Sequence, residues 1–165
     1  MSEYCVVVAE GARARFFTLE PADVPEFEGG PNLVEHDSLA NPQHRAHQDH
    51  IYADGRGGRN RTAGGQAHGY DEHRQQHVDG VEQRFARDIA EHLDSLARRE
   101  STRHVIMCAE KRMLGFLRSA MNGQQHNGVD VVEVPKDLAK LSCQEVHRRL
   151  AQDGHIPPRR SRRQA

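Results

Sequence analysis

The chain has 165 residues, enough for one domain with a real core. Only 36% are hydrophobic and the mean hydropathy is −0.84, which excludes an integral helical membrane protein. A formal net charge of −1 excludes a global field that draws in nucleic acid, so any RNA contact must come from local basic patches. Three cysteines without paired spacing argue against a disulfide framework. The apolar run at 5–9 is too short for a signal peptide or a membrane span, and the expected location is the cytosol.

Tyr4–Ala9 (YCVVVA) is a nearly continuous apolar, β-branched run, the pattern of a strand covered on both faces. Gly11 marks a turn. Arg13–Leu19 returns as a hairpin strand, with Arg15, Phe17 and Leu19 on one face and Ala14, Phe16 and Thr18 on the other. After a loop rich in proline and glycine, Asn32–Ser38 reads as a third strand, polar enough to lie at an edge. From Asn41 to Gln76 apolar periodicity stops, so 41–78 is expected to be a long flexible loop rich in Gly, His and Arg.

Helical spacing returns with Val81, Phe85, Ile89, Leu93 and Leu96, and Asp79 is the expected N-cap. Arg103–Ala109 reads as a buried strand, Glu110–Ala120 as a helix, and Gly128–Val134 as a last strand ended by Pro135. Ser142 with Glu145 has the form of a capping box opening a final helix, and Gly154 is its expected stop. Residues 1–155 therefore form one α/β domain. The order β-β-β-α-β-α-β-α implies a mixed five-stranded sheet of ribonuclease-H-like topology, its first three strands antiparallel and the later ones added in parallel. Residues 156–165, with four arginines, are expected to be a disordered basic tail.

That topology raises the question of a nuclease. A two-metal nuclease needs converging carboxylates, and the first strand has none inside it; Glu10 stands only at its end. The histidines at 44, 47, 50, 68, 73 and 77 lack both an HExxH pattern and a cysteine partner, so they read as a polar loop and not as a metal site. No cofactor is implied. The remaining motif is Gly64-Gly65-Gln66, preceded by Arg56, Arg59 and Arg61 and followed by an amphipathic helix.

GRGG at Gly55–Gly58, GGQ at Gly64–Gln66 and the following EQRFARDIAEHL resemble a stretched version of the GGQ loop in the middle domain of archaeal and eukaryotic class-one release factors. From Tyr4 to Leu150 the chain resembles more closely the bacterial host attachment proteins. VVVAEGARARFFTLE, the Gly-Gly segment before the long helix, VIMCAEKRMLGFLRSA and VPKDLAKLSCQEV carry that resemblance.

The release-factor resemblance implies peptidyl-tRNA ester hydrolysis. Gly64 and Gly65 would let the backbone enter a tight cavity, the Gln66 amide would face the developing charge, and Arg56, Arg59 and Arg61 would meet RNA phosphates. Arg59–Ala63 separate two pieces that are fused in release factors, and Asp71 and Glu72 follow closely. A codon-reading domain is not expected, which leaves a codon-independent factor acting on the ribosome or tRNA. The alternative is a non-enzymatic binding module for host, surface or other protein partners.

Overall fold

The computed structural model describes residues 2–44, 67–122 and 128–161. Five strands form a single sheet: β1 (Tyr4–Ala9), β2 (Arg13–Glu20), β3 (Asn32–Ala40), β4 (His104–Cys108) and β5 (Asp130–Val134). Three helices complete the described fold: α1 (Ala67–Glu100), α2 (Lys111–Met121) and α3 (Cys143–Gln152). The spatial order is β3-β2-β1-β4-β5. β1 pairs antiparallel with β2 and parallel with β4; β2–β3 is antiparallel and β4–β5 parallel. The expected single mixed five-stranded α/β sheet is therefore present.

β1 is central, as its unbroken apolar run requires, and Cys5 to Ala9 are buried. Alternation along the strands divides the core between the two faces. Val7, Phe16, Val105 and Met107 meet Phe85, Ile89 and Leu93 of α1 and Leu114 and Leu117 of α2. Val6, Val8, Phe17 and Ile106 meet Leu138, Val146 and Leu150 on the opposite face. The face assignment of Arg15, Phe17 and Leu19 against Ala14 and Phe16 agrees with the sequence reading.

Arg15 lies on the second face and is buried. Its guanidinium makes two bonds to Glu35, both 2.9 Å, and donates from Nη1 to the carbonyls of Ala139 (3.1 Å) and Leu141 (2.6 Å). Arg13 adds a bond to Ala139 O at 3.0 Å, and the Arg15 guanidinium lies over the Phe17 ring. These contacts tie the irregular connection between β5 and α3 down onto the sheet. Ser142 then caps α3 by accepting from the Glu145 amide. The helix ends in a Schellman arrangement, with Gly154 at φ +79°, Gly154 N–H donating to Ala151 O and His155 N–H to Leu150 O.

Two expectations need correction. Residues 41–78 are not one long loop. Asn41 is buried, donates through Nδ2 to Gly11 O and through its amide to Ala12 O, and heads a helical turn at 42–44. At the other end α1 begins at Ala67, so Asp79 and Gly80 stand inside it. Asp79 accepts from Gln75 Nε2 (3.1 Å) and from Arg112 of α2 instead of capping the helix. Periodicity marks only the part of a helix that packs against something, and 72–77 are exposed all round, so the reading began the helix where packing begins. Residues 45–66 lie outside the described residues.

The tail expectation also changes. Ile156 is buried, His147 donates from Nε2 to Pro157 O (2.9 Å), and the Arg160 amide donates to Gly30 O (3.0 Å). Through Ser161 the segment is docked, with Ile156 as the apolar anchor that the reading did not recognise. Residues 162–165 lie outside the described part.

Gly80 sits inside α1 with open space where a Cβ would go. Gly80→Ala should therefore raise stability by about 0.5–1 kcal/mol, read from the urea midpoint. No such gain follows if the helix starts at Asp79. The Arg15 bonds hold the Glu35 carboxyl below its ordinary value of 4.5. The carboxylate's contribution is then complete above that value and drains away as pH falls through the lower folded value. Glu35→Gln should remove this acid-side slope from denaturation measured against pH, and Arg15→Ala should cost roughly 2–3 kcal/mol at neutrality.

Candidate functional site

The parallel strands β1, β4 and β5 all point their C-terminal ends to one side of the sheet. In open α/β sheets this is the side on which ligands gather. Glu10 follows β1, Glu110 follows β4 and caps α2 without a side-chain bond, and Asp137 follows β5. With Gly11, Glu82 of α1, and Arg112 and Met113 of α2 they line an open cleft of about 250 Å³. The sequence reading treated Glu10 in isolation; the crossovers gather it with three further acids. Burial pushes the Glu82 carboxyl above its ordinary range; nearby His44 opposes this and Glu110 reinforces it. Arg112 sits among these acids, 3.5 Å from Glu82 and bonded to Asp79. The arrangement is a carboxylate cluster held by a guanidinium. Among the described residues, no group of three or more His, Cys, Asp or Glu is placed to hold a metal ion.

The chain passes this end of the sheet at 42–44, and α1 packs there from Val81. The N-terminal side of the segment 45–66 leaves from the turn at 42–44, where the His44 ring approaches Gly11: a Cβ built on the glycine would be 3.5 Å from it. Its C-terminal side joins α1 at Ala67. Thirty-four residues make α1 about 51 Å long. Among its described side chains, which begin at Glu72, the first buried one is Val81, so residues 72–80 run about 14 Å along the helix ahead of that core contact. Gln66 immediately precedes this extension. Gly64, Gly65 and Gln66, and likewise Arg56, Arg59 and Arg61, lie outside the described residues. Of the histidines, His44 is at the cleft, and His73 and His77 lie one turn apart on the exposed part of α1. His68 is in the helix, and His47 and His50 are outside the described part.

A second and larger cleft, about 980 Å³, lies on the opposite face between α3, the start of β3 and the docked tail. Asn32, Leu33, Cys143, Arg148, Pro158 and Arg159 contribute to its walls. Cys143 donates its thiol to Leu33 O at 2.7 Å. Burial, followed by the charge of Glu35, raises its pKa, against the opposing influence of Arg15 and the Glu35 amide. A protonated thiol used as a donor is a structural group and a poor nucleophile. The reading placed Cys5 and Cys108 in core strands, and both are buried there. Among the described residues no helix is long and apolar enough to cross a membrane.

The fold and this site define a class: a single-sheet α/β protein with a long helix standing off the end where its parallel strands terminate. The chain belongs to the family described as protein required for attachment to host cells, whose model matches residues 5–150. No curated protein matches it.

The three thiols should differ in reactivity. Burial pushes Cys108 up to about 12 and also raises Cys5, so native protein should be alkylated at Cys143 alone. That reaction should be slower than with a free thiol and should go on accelerating above pH 9.0, the ordinary thiol value, where a free thiol has levelled off. Mass spectrometry of protein quenched at intervals checks both statements.

Proposed function

We propose that the protein works as a binding factor that offers the segment 45–66, at the end of α1, to a macromolecular partner, and that the partner is the ribosome or tRNA. The observation that carries this reading is the stretch of α1 ahead of its first core contact, with Gln66 directly before the first helical residue. The sheet order and strand directions support a ribonuclease-H-like topology and, through it, kinship with the release-factor middle domain. In this reading Arg56, Arg59 and Arg61 meet phosphates, and Gly64 and Gly65 allow close approach. The Gln66 amide promotes hydrolysis of the peptidyl-tRNA ester, and the protein acts in the cytosol.

A second reading is a non-enzymatic module that binds host or surface proteins. It is supported by the family description and by the exposed part of α1, where among residues 72–77 Glu72 offsets Arg74.

Co-sedimentation of the purified chain with ribosomes separates the two. Binding at low salt should weaken steeply as salt rises, and replacing Arg56, Arg59 and Arg61 by alanine should lower the log–log slope by about 0.7–0.9 per lost phosphate contact. Gln66→Ala should abolish release of the peptide from peptidyl-tRNA while leaving binding intact. Failure to co-sediment at low salt, with retained binding to host cells, selects the second reading.

A further inference from the structure

Charge is unevenly shared along the chain. Residues 136–161 carry six lysines and arginines against three acids, a net of +3 in a chain whose total is −1. Five of these six cations stand on α3 or on the segments that flank it. Arg148 and Arg149 are on the helix, Lys140 on the connection before it, and Arg159 and Arg160 on the docked tail; all five are exposed. Two of the three acids are already engaged. Asp153 accepts from Lys136 at 2.7 Å, and Asp137 accepts from the Ala139 amide and lines the other cleft. Of the acids in this stretch, Glu145 alone is left to oppose the patch.

The cleft of about 980 Å³ runs through this cationic patch. Gln144, Arg148 and Gln152 follow one another four residues apart along α3, so one wall carries a row of donors about 6 Å apart. Arg159 stands on the wall made by the tail. Arg148 has no hydrogen-bond or ion-pair partner among the described residues. Arg159 reaches only Gly29 O, through Nε at 3.5 Å. The terminal nitrogens of both guanidinium groups are therefore open to an anion. Leu33, Ala151 and Pro158 add apolar lining.

The docked tail is what brings Arg159 to this cleft. Ile156 is buried, His147 bonds Pro157 O, and the Arg160 amide donates to Gly30 O. Gly29 makes room for the tail: a Cβ there would stand 2.6 Å from the Arg160 carbonyl oxygen, a backbone atom, so one of the two would have to shift.

We infer that this cleft holds the sugar–phosphate backbone of single-stranded RNA, with Arg148 and Arg159 on phosphates and Gln144 and Gln152 on phosphate or ribose oxygens. The inference rests on the ribosome-or-tRNA reading for the class of partner and adds a contact outside the segment 45–66. Charge selects a polyanion over a neutral or basic partner. Shape selects a strand over a lipid surface. The site is a cleft, and the apolar side of α3, with Val146 and Leu150, is spent on the core and leaves nothing for acyl chains.

Fluorescence anisotropy of the full chain with labelled oligouridylate at low salt tests this. Wild type should bind, and Arg148→Ala with Arg159→Ala should weaken binding about tenfold or more and lower the log–log salt slope by about 1.4. Arg84→Ala with Arg87→Ala takes the same charge from an exposed part of α1 and should change affinity by less than about twofold. Gly29→Ala removes no charge. It should release the tail, seen as tryptic cleavage at Arg159 and Arg160, and lower the slope by about 0.7. Replacing Arg56, Arg59 and Arg61 by alanine separates this inference from the reading it rests on. If that variant alone loses the probe, the cleft inference fails and the loop reading stands; if the Arg148 and Arg159 variant alone loses it, the reverse holds. Three further results would each overturn the inference. They are a folded Arg148 and Arg159 variant that binds as wild type does, a Gly29→Ala chain whose released tail leaves binding undiminished, and a wild type that binds phosphatidylserine vesicles or polyglutamate but not the RNA.

Discussion

The structure depends on where the Arg15 side chain is allowed to lie. Strand alternation sends it into the face that α3 must cover, and a guanidinium cannot be left there without partners. Glu35 on the neighbouring strand supplies the counter-charge, and the Ala139 and Leu141 carbonyls take a further donor. The arginine thereby satisfies backbone acceptors of a connection that has no regular structure of its own. Once that connection is fixed, Ser142 stands where it can cap α3, and Leu138, Val146 and Leu150 close the second core. A charge in the wrong place by hydropathy is thus the fastening between the sheet and its outer layer.

The other face is held by ordinary apolar packing, and α1 shows how little of a helix such packing needs. From Val81 onward its apolar residues seal the sheet; residues 72–77, all polar, face solvent. Contacts at the junction fix where this extension points. Arg112 of α2 reaches both Asp79 and Glu82, one residue on each side of the first core contact. The turn at 42–44 sits beside Gly11 at the same end. The N-terminal flank of the segment 45–66 is therefore anchored near the termini of the parallel strands, and the helix that follows the segment is anchored there at Asp79 and Glu82.

The acids at that end illustrate why proximity in a cleft is not yet chemistry. Glu10, Glu82, Glu110 and Asp137 come from four separate parts of the chain, and the crossovers alone bring them together. With Arg112 among them their charge is partly met from within the protein, and the cluster reads as a rim that orients α1 and α2. In the larger cleft beside α3 the cysteine is spent on a carbonyl of β3 and His147 on the Pro157 carbonyl, while Gln144, Glu145, Arg148 and Arg159 are exposed.

Much of the fold was legible without coordinates, because the signals were local. β1 has the same limits in sequence and structure because burial on both faces demands an uninterrupted apolar run. The hairpin, the Ser142 cap and the Gly154 stop follow from residue chemistry confined to a few positions. Family membership was legible for the same reason, since it rests on local motifs along both flanks. The start of α1 at Ala67 was not legible, because an exposed helix leaves no apolar period to read. Nor was the docking of 156–161, which rests on one isoleucine, the His147 side chain and a backbone bond from Arg160 to Gly30, 130 positions away. The partners of Arg15 and the gathering of the acids belong to tertiary structure alone. Each depends on which distant segments become neighbours, and no spacing along the chain records that.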